Sequence, residues 1–366
     1  MGFNCGIVGL PNVGKSTLFN ALTQTAAAQA ANFPFCTITP NVGRVAVPDE
    51  RLEVLAAIAD SKAILPTQLE FVDIAGLVRG ASKGEGLGNQ FLSHIREVDA
   101  IAHVVRCFED GDITHVEGSV DPLRDSEIIN TELVLSDLES VEKRLPNLEK
   151  KAKQGDVETV QLVEILKQVY ALLAEGKPAR VLKVHPNDLR LFRAQQFLTA
   201  KPVMYVCNVG EADAKSGNSY SEAVAKMAKA ENAAHIVVSA QIEQEISSLS
   251  SAEEQAEFLQ TLGLDEAGLT RAIRTGYNLL DLMTYFTVGP KETRAWTITR
   301  GTLAPQAAGV IHTDFEKGFI RAEVIPYADF VAYKGESGAK EAGKLRVEGK
   351  DYVVCDGDVL HFRFNV

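Results

Sequence analysis

Gly9-Leu10-Pro11-Asn12-Val13-Gly14-Lys15-Ser16 fits the pattern G-x-x-x-x-G-K-[ST], and it lies between an apolar run and a segment of helical character. In that setting glycines let the backbone close around an anion, so that successive N–H groups and a helix N-terminus point at phosphate oxygens. Asn12, Val13, Gly14, Lys15, Ser16 and Thr17 are therefore expected around a nucleoside triphosphate. Lys15 would span the β- and γ-phosphates, and the Ser16 hydroxyl would ligate Mg²⁺.

A second constellation is Phe71-Val72-Asp73-Ile74-Ala75-Gly76, an apolar strand ending in D-x-x-G. Asp73 is placed to reach Mg²⁺ through water, and the Gly76 N–H to meet the γ-phosphate. Between the first helix and second strand, Thr37 offers a hydroxyl and a carbonyl to the same metal and phosphate. Thr39 is disfavoured because it precedes Pro40, which biases it to extended backbone. Gly80, Gly84, Gly86 and Gly88 then allow a loop to reorder when the γ-phosphate leaves. The residue after Gly76 is Leu77, which cannot orient an attacking water as glutamine does at that point in many small GTPases. Hydrolysis is thus expected to be slow, or served by another group, backbone or a partner. His115, in the Gly111–Gly118 loop, is a candidate, although a loop histidine is usually just solvated. Asn12 is a candidate for supporting K⁺ between the α- and γ-phosphates.

The base would be read by Asn208-Val209-Gly210-Glu211, which follows an apolar strand where a guanine pocket carries N-K-x-D. Val209 replaces the lysine and Glu211 the shorter aspartate. Adenine lacks the N1–H and 2-amino group that such an aspartate needs as partners, so moving the carboxylate removes the rejection of adenine. Asn208 is expected at the base edge, Val209 against its face, and the N–H groups of Ser239 and Ala240 at the pocket's end. ATP is expected as substrate, with GTP weaker.

These residues need a frame. Apolar β-type runs at Phe3–Val8, Arg44–Val47, Gln68–Val72, Ala100–Arg106, Val203–Cys207 and Ala234–Val238 alternate with helical segments, which predicts an α/β fold of the P-loop type, a mainly parallel sheet wrapped by helices. The gap between the fourth and fifth runs is too long for an ordinary crossover. Within it Val134, Leu138, Val141, Leu145 and Leu148, then Leu162, Leu166, Val169 and Leu173, step by threes and fours, the signature of an antiparallel helical hairpin. Pro146 is expected to kink the first of these helices or mark a boundary. From about Thr284 short runs at Arg294–Thr299, Gly318–Val324, Asp351–Val354 and Val359–Phe364 predict a small β-rich domain. The division expected is 1–125 and 199–283 for the nucleotide domain, 126–198 for the hairpin and 284–366 for the C-terminal module.

Composition narrows the partners. The 366 residues carry 37 Lys and Arg against 49 Asp and Glu, a net charge of −12, which argues against blanket adhesion to nucleic acid or anionic membrane. The module from Thr284 onward is neutral, so it is the part least repelled by RNA. Five scattered cysteines without a C-x-x-C pair indicate neither a disulfide framework nor zinc. No leader or membrane span is apparent, and a cytoplasmic location is expected.

Taken together, G-L-P-N-V-G-K-S-T at Gly9–Thr17, N-F-P-F-C-T at Asn32–Thr37, D-I-A-G-L-V at Asp73–Val78, G-E-G-L-G-N-Q-F-L at Gly84–Leu92 and N-x-x-E at Asn208–Glu211 resemble the YchF/Obg-like ATPases over the whole chain. The resemblance implies a G-domain interrupted by a coiled-coil hairpin and followed by a β-grasp TGS domain, whose signature Ala308–His312 and Gly318–Ala322 resemble. It also implies ATP hydrolysis and association with the ribosome, its large subunit, and/or RNA, by a monomer. The leading expectation is an ATP-dependent switch on the translation apparatus. The alternatives are a GTPase on the same frame, a nucleotide-gated binding protein with negligible hydrolysis, and a small-molecule P-loop kinase.

Overall fold

A computed structural model of the chain describes residues 3–32, 41–74, 87–249 and 251–365. The nucleotide-binding frame is a six-stranded sheet ordered β2-β4-β1-β5-β6-β7. Its strands are β1 (Asn4–Val8), β2 (Val42–Ala46), β4 (Gln68–Asp73), β5 (Ala100–Arg106), β6 (Val203–Asn208) and β7 (Ala234–Val238). All neighbours run parallel except β2, which is antiparallel to β4. Helix α1 (Lys15–Asn32) leaves β1 through the glycine-containing loop. Every residue of β5 and β6 is buried, as expected of strands covered on both faces.

Between β2 and β4 the chain leaves this sheet. Helix α2 (Glu50–Ala59), N-capped by Asp49, and the two-residue strand β3 (Ile64–Leu65) join the C-terminal unit instead. There β3 pairs in parallel with β9, and Leu52 and Leu55 pack with Phe286, Ala295, Ile325 and Phe330. The linear division at residue 125 did not anticipate this excursion, because a two-residue strand has no periodicity to read.

Helix α3 (Leu87–Glu97) precedes β5, after which α4 (Pro122–Ala152) and α5 (Val157–Ala174) form the hairpin. Val134, Val141, Leu166, Val169 and Leu173 form a buried seam, with Leu138, Leu145, Leu148 and Leu162 partly buried beside it. At roughly 1.5–3 kcal/mol per buried aliphatic side chain, this seam is what holds two otherwise marginal helices together. No boundary falls at Pro146: α4 runs through it without interruption, with Leu145 and Leu148 held in the seam on either side. The chain returns through the short helix α6 (Leu189–Arg193). Buried Asp137 on α4 fastens this return by accepting from Leu198 N (3.0 Å), Thr199 N (2.8 Å) and Thr199 Oγ1 (2.7 Å).

Helices α7 (Ser219–Ala230), α8 (Ala240–Ser248), α9 (Ala252–Thr261) and α10 (Gly268–Leu279) complete the first unit. The second sheet is ordered β11-β10-β12-β8-β9-β3, from β8 (Leu282–Val288), β9 (Thr293–Thr299), β10 (Phe319–Pro326), β11 (Arg346–Glu348) and β12 (Asp358–Phe364). With α11 (Ala304–Ile311) packed on it, and α12 (Thr313–Lys317), α13 (Tyr327–Ala332) and α14 (Glu336–Glu341) in its connections, this is a β-grasp arrangement. The run Asp351–Val354 forms no strand: Val353 makes only an isolated pairing with Leu303, and the strand between β10 and β12 in the chain is β11.

His103, in the middle of β5, is 2% exposed, and burial pushes its imidazole down to about 3 from an ordinary 6.5, with nearby Arg180 adding to the effect. The unfolded chain therefore takes up this proton first as pH falls from 6.5 towards 3, so the stability supplied by neutral His103 is present above pH 6.5 and lost below it. At pH 5 the loss is about 2 kcal/mol. Urea unfolding of the wild type and of His103→Phe at pH 7 and pH 5 should show a drop on acidification that is smaller by about that amount in the variant.

Candidate nucleotide-binding site

The loop after β1 owes its shape to two left-handed residues, Asn12 (φ 63°) and Gly14 (φ 92°). Asparagine tolerates this region, whereas Gly14 is required twice over: a Cβ there would lie 2.1 Å from Asn208 Nδ2. A Cβ on Gly9 would meet the Val104 carbonyl oxygen at 2.8 Å. Val13 turns into the core at 1% exposure, while Ser16 stays exposed on the first turn of α1, next to Lys15 and Thr17. Lys15 Nζ forms an ion pair with Asp73 Oδ1 at the end of β4, so the structure brings together the lysine and carboxylate that the two motifs singled out. Thr37, Thr39, Gly76, Leu77, Gly80, Gly84 and Gly86 lie outside the described residues; Gly88 begins the second residue of α3.

Among the base-side residues, Asn208, Ser239 and Ala240 come together beside the phosphate loop. Asn208, 5% exposed, donates from Nδ2 to the Val13 carbonyl (2.9 Å) and accepts at Oδ1 from Ala240 N (2.9 Å). Each end of its amide thus takes part in stapling the phosphate loop to the β7–α8 junction, which leaves the second Nδ2 hydrogen and the second Oδ1 lone pair for a base edge. The Ala240 N–H is used in the same contact. Val209 is 2% exposed within the main apolar core, and its N–H extends the pairing with Val238. It therefore serves the core instead of lying open as a base-stacking face. Glu211 is exposed at the start of the 3-10 turn Glu211–Asp213. The neighbouring Asp213 accepts from Asn218 Nδ2 at 2.8 Å. Ser239 is 3% exposed, and its Oγ has no hydrogen-bond partner among the described residues. A buried hydroxyl left unpaired calls for an outside partner, and this one sits beside Ala240 and the Asn208 staple.

His115 is not a solvated loop histidine. It is 8% exposed, Nε2 lies 2.8 Å from Asp125 Oδ2, and Nδ1 accepts from Glu117 N (3.1 Å). An acceptor at Nδ1 places the ring proton on Nε2. Neither nitrogen is open to a water in this arrangement, so acting as a base requires one of the two contacts to break first. The loop reaches the phosphate-binding segment through Asn12 Nδ2, which donates to the Thr114 carbonyl (3.0 Å).

Two residues that sequence reasoning did not single out shape this loop. Arg106, at the end of β5 and 1% exposed, donates Nε to Phe108 O (3.1 Å), Nη1 to Ile113 O (3.0 Å) and Nη2 to Asp110 O (3.1 Å). A charge closing an otherwise apolar run was its signal. Asp125 had none, since an acid in a first helical turn normally reads as a partner of the helix dipole.

Comparison with known proteins came out as follows. Residues 4–137 match the family model of 50S ribosome-binding GTPases, and residues 282–365 match YchF-GTPase_C, described only as a protein of unknown function. The chain is 58% identical to the ribosome-binding ATPase YchF of Haemophilus ducreyi, 57% to that of Escherichia coli O157:H7 and 55% to that of Bacillus subtilis, in each case over 100% of both chains. The solved YchF GTPase of Schizosaccharomyces pombe superposes with a TM-score of 0.88 at 43% identity, over 99% of this chain and 98% of that one. The bacterial relatives are named ATPases and the yeast protein a GTPase.

Proposed function

This chain belongs to the YchF family, and from that premise we propose that it is a Mg²⁺-dependent ATPase that associates with the ribosome and changes conformation with the bound nucleotide. The observation that carries the reading is the convergence at one place of the Asn12–Gly14 turn, Lys15, the Asp73 carboxylate and the unpaired Ser239 hydroxyl. Cation, carboxylate and backbone turn suit a triphosphate with its metal, and the hydroxyl suits a polar ring atom.

In this reading Lys15 holds the β- and γ-phosphates while the backbone of Asn12–Thr17 binds their oxygens. Ser16, Thr37 and, through water, Asp73 would hold Mg²⁺, and the Gly76 N–H would meet the γ-phosphate. The metal would neutralise charge on the phosphate oxygens. Asp73 is acceptor-only when ionised and pairs with a cation here, which fits a role beside Mg²⁺. Asn12 would support K⁺; equal rates in sodium and potassium buffers would exclude that. We keep 1–125 with 199–283, 126–198 and 284–366 as the units, with α2 and β3 lent to the last.

Adenine preference is supported by Val209, sunk in the core where a guanine pocket carries lysine, and by the longer Glu211, out on an exposed turn, where it carries aspartate. The large subunit is the favoured partner because the family matched by residues 4–137 is described as 50S ribosome-binding GTPases. Among the described residues no helix is long and apolar enough to cross a membrane. We take the protein to act as a cytoplasmic monomer.

The test is affinity and turnover with ATP and with GTP, in potassium buffer, with and without 50S and 30S subunits. ATP is expected to bind at least about tenfold more tightly, a difference of about 1.4 kcal/mol. Equal or tighter GTP binding overturns the base assignment, and absence of phosphate release under every condition overturns the enzyme assignment.

A further inference from the structure

The loop between β5 and α4 is strung between two fixed points. Arg106 on the core strand pins three carbonyls of its first half, at Phe108, Asp110 and Ile113. Its second half is pinned from the hairpin: Asp125 on the first turn of α4 takes His115 Nε2 at 2.8 Å, with both side chains almost fully buried. The other carboxylate oxygen of Asp125 accepts from Arg124 Nη2 (3.1 Å), and Arg124 reaches back to Ser119. Between the two anchors lies Thr114, whose carbonyl receives the side-chain amide of Asn12 from the phosphate loop.

The helix that carries Asp125 runs without a break from Pro122 to Ala152. At about 1.5 Å per residue it is on the order of 45 Å long. Its near part contributes Ile129 and Leu133 to the core of the nucleotide domain, and its middle contributes Val134 and Val141 to the hairpin seam. One rigid element thus extends from the far end of the hairpin to a buried contact two hydrogen bonds from the phosphate loop. Packed elements of this kind transmit small displacements when they connect discrete contacts.

We propose that Asp125 is a positioning residue through which the helical hairpin controls the phosphate loop: it holds His115, and with it the Thr114 carbonyl that fixes Asn12. A partner that tilts the hairpin moves Asp125, releasing or seating His115 and Asn12 together. The inference rests on the ATPase reading above only for its kinetic readout. The contact chain itself is independent of what His115 does chemically.

The test is a double-mutant cycle in the full-length protein with Asp125→Asn, Asn12→Ala and the double variant, followed by MgATP affinity, KM, and kcat with and without ribosomes. The expected result is coupling: the two effects on affinity or on kcat are non-additive by at least about fivefold, and Asp125→Asn lowers ribosome-stimulated kcat more than it changes KM. Additive effects overturn the proposal. Should Asp125→Asn fail to fold, His115→Ala takes its place in the same cycle with the same criterion. Long-range ¹H–¹⁵N spectra of the histidines give a second readout: wild-type His115 is expected as the Nε2–H tautomer, with its signals altered in Asp125→Asn. The opposite tautomer, or signals indifferent to that change, overturns the contact chain. If wild type releases no phosphate at all, the ATPase reading fails, while the cycle read on MgATP affinity still decides this one.

Discussion

Replacing Lys15 with alanine is expected to lower ATP turnover by about 10²–10³-fold, the usual consequence of removing one preorganised charge from a site where negative charge develops. The structure indicates why stability should hardly move. Lys15 pairs with Asp73 across a site that leaves the two side chains 12% and 20% exposed, so water takes over the carboxylate once the lysine is gone. For a partly exposed pair the change is within about 1 kcal/mol. Asp73→Asn separates the two roles: it keeps the shape and should reduce turnover most at low Mg²⁺. Steady-state kinetics with a magnesium titration, beside thermal unfolding, checks both. Turnover of Lys15→Ala within threefold of wild type would remove the phosphate-loop reading.

How far the site was legible follows from the range of the interactions. The phosphate loop is a local motif in a strand–turn–helix context, so Lys15 and Asp73 could each be singled out from spacing, whereas the ion pair between them could not. The hairpin seam is also local, repeating every three or four residues, and Val141 with Leu166 and Val169 lie where that period requires. Of the two outcomes expected at Pro146, a kink or a boundary, the boundary does not occur, because the seam on either side of it outweighs the one backbone bond a proline removes.

What escaped was long-range. Nothing in Ile64-Leu65 announces pairing with Thr293 and Arg294, more than two hundred residues away. Yet this pairing, with the Arg51–Asp356 ion pair (2.7 Å), ties the connection between β2 and β4 to the C-terminal sheet. The structural part played by Asn208 was hidden for the same reason. Its residue type suits a base edge, and its partners within the protein, Val13 and Ala240, lie 195 and 32 residues distant, one at each end of the amide. His115 looked solvated because its partner is an ordinary helix-start acid.

The Asn208 staple leads to the second large effect. In Asn208→Ala two buried backbone groups, the Val13 carbonyl and the Ala240 N–H, lose their partners together. At about 1–3 kcal/mol for each buried group left unsatisfied, a destabilisation of about 2–4 kcal/mol is expected. The loss should also reach the ligand, because the same contact fixes the distance between the phosphate loop and the Ser239 side of the pocket. Asn208→Asp refines the argument: a carboxylate still accepts from Ala240 N but faces the Val13 carbonyl with a second acceptor, so half of the staple becomes repulsive. Both variants should weaken ATP and GTP by similar factors, since the residue holds the pocket's walls together whichever base is bound. Urea unfolding and nucleotide titrations of the two variants test this. A variant that keeps ATP affinity while gaining or losing GTP alone would make Asn208 a discriminator of the base.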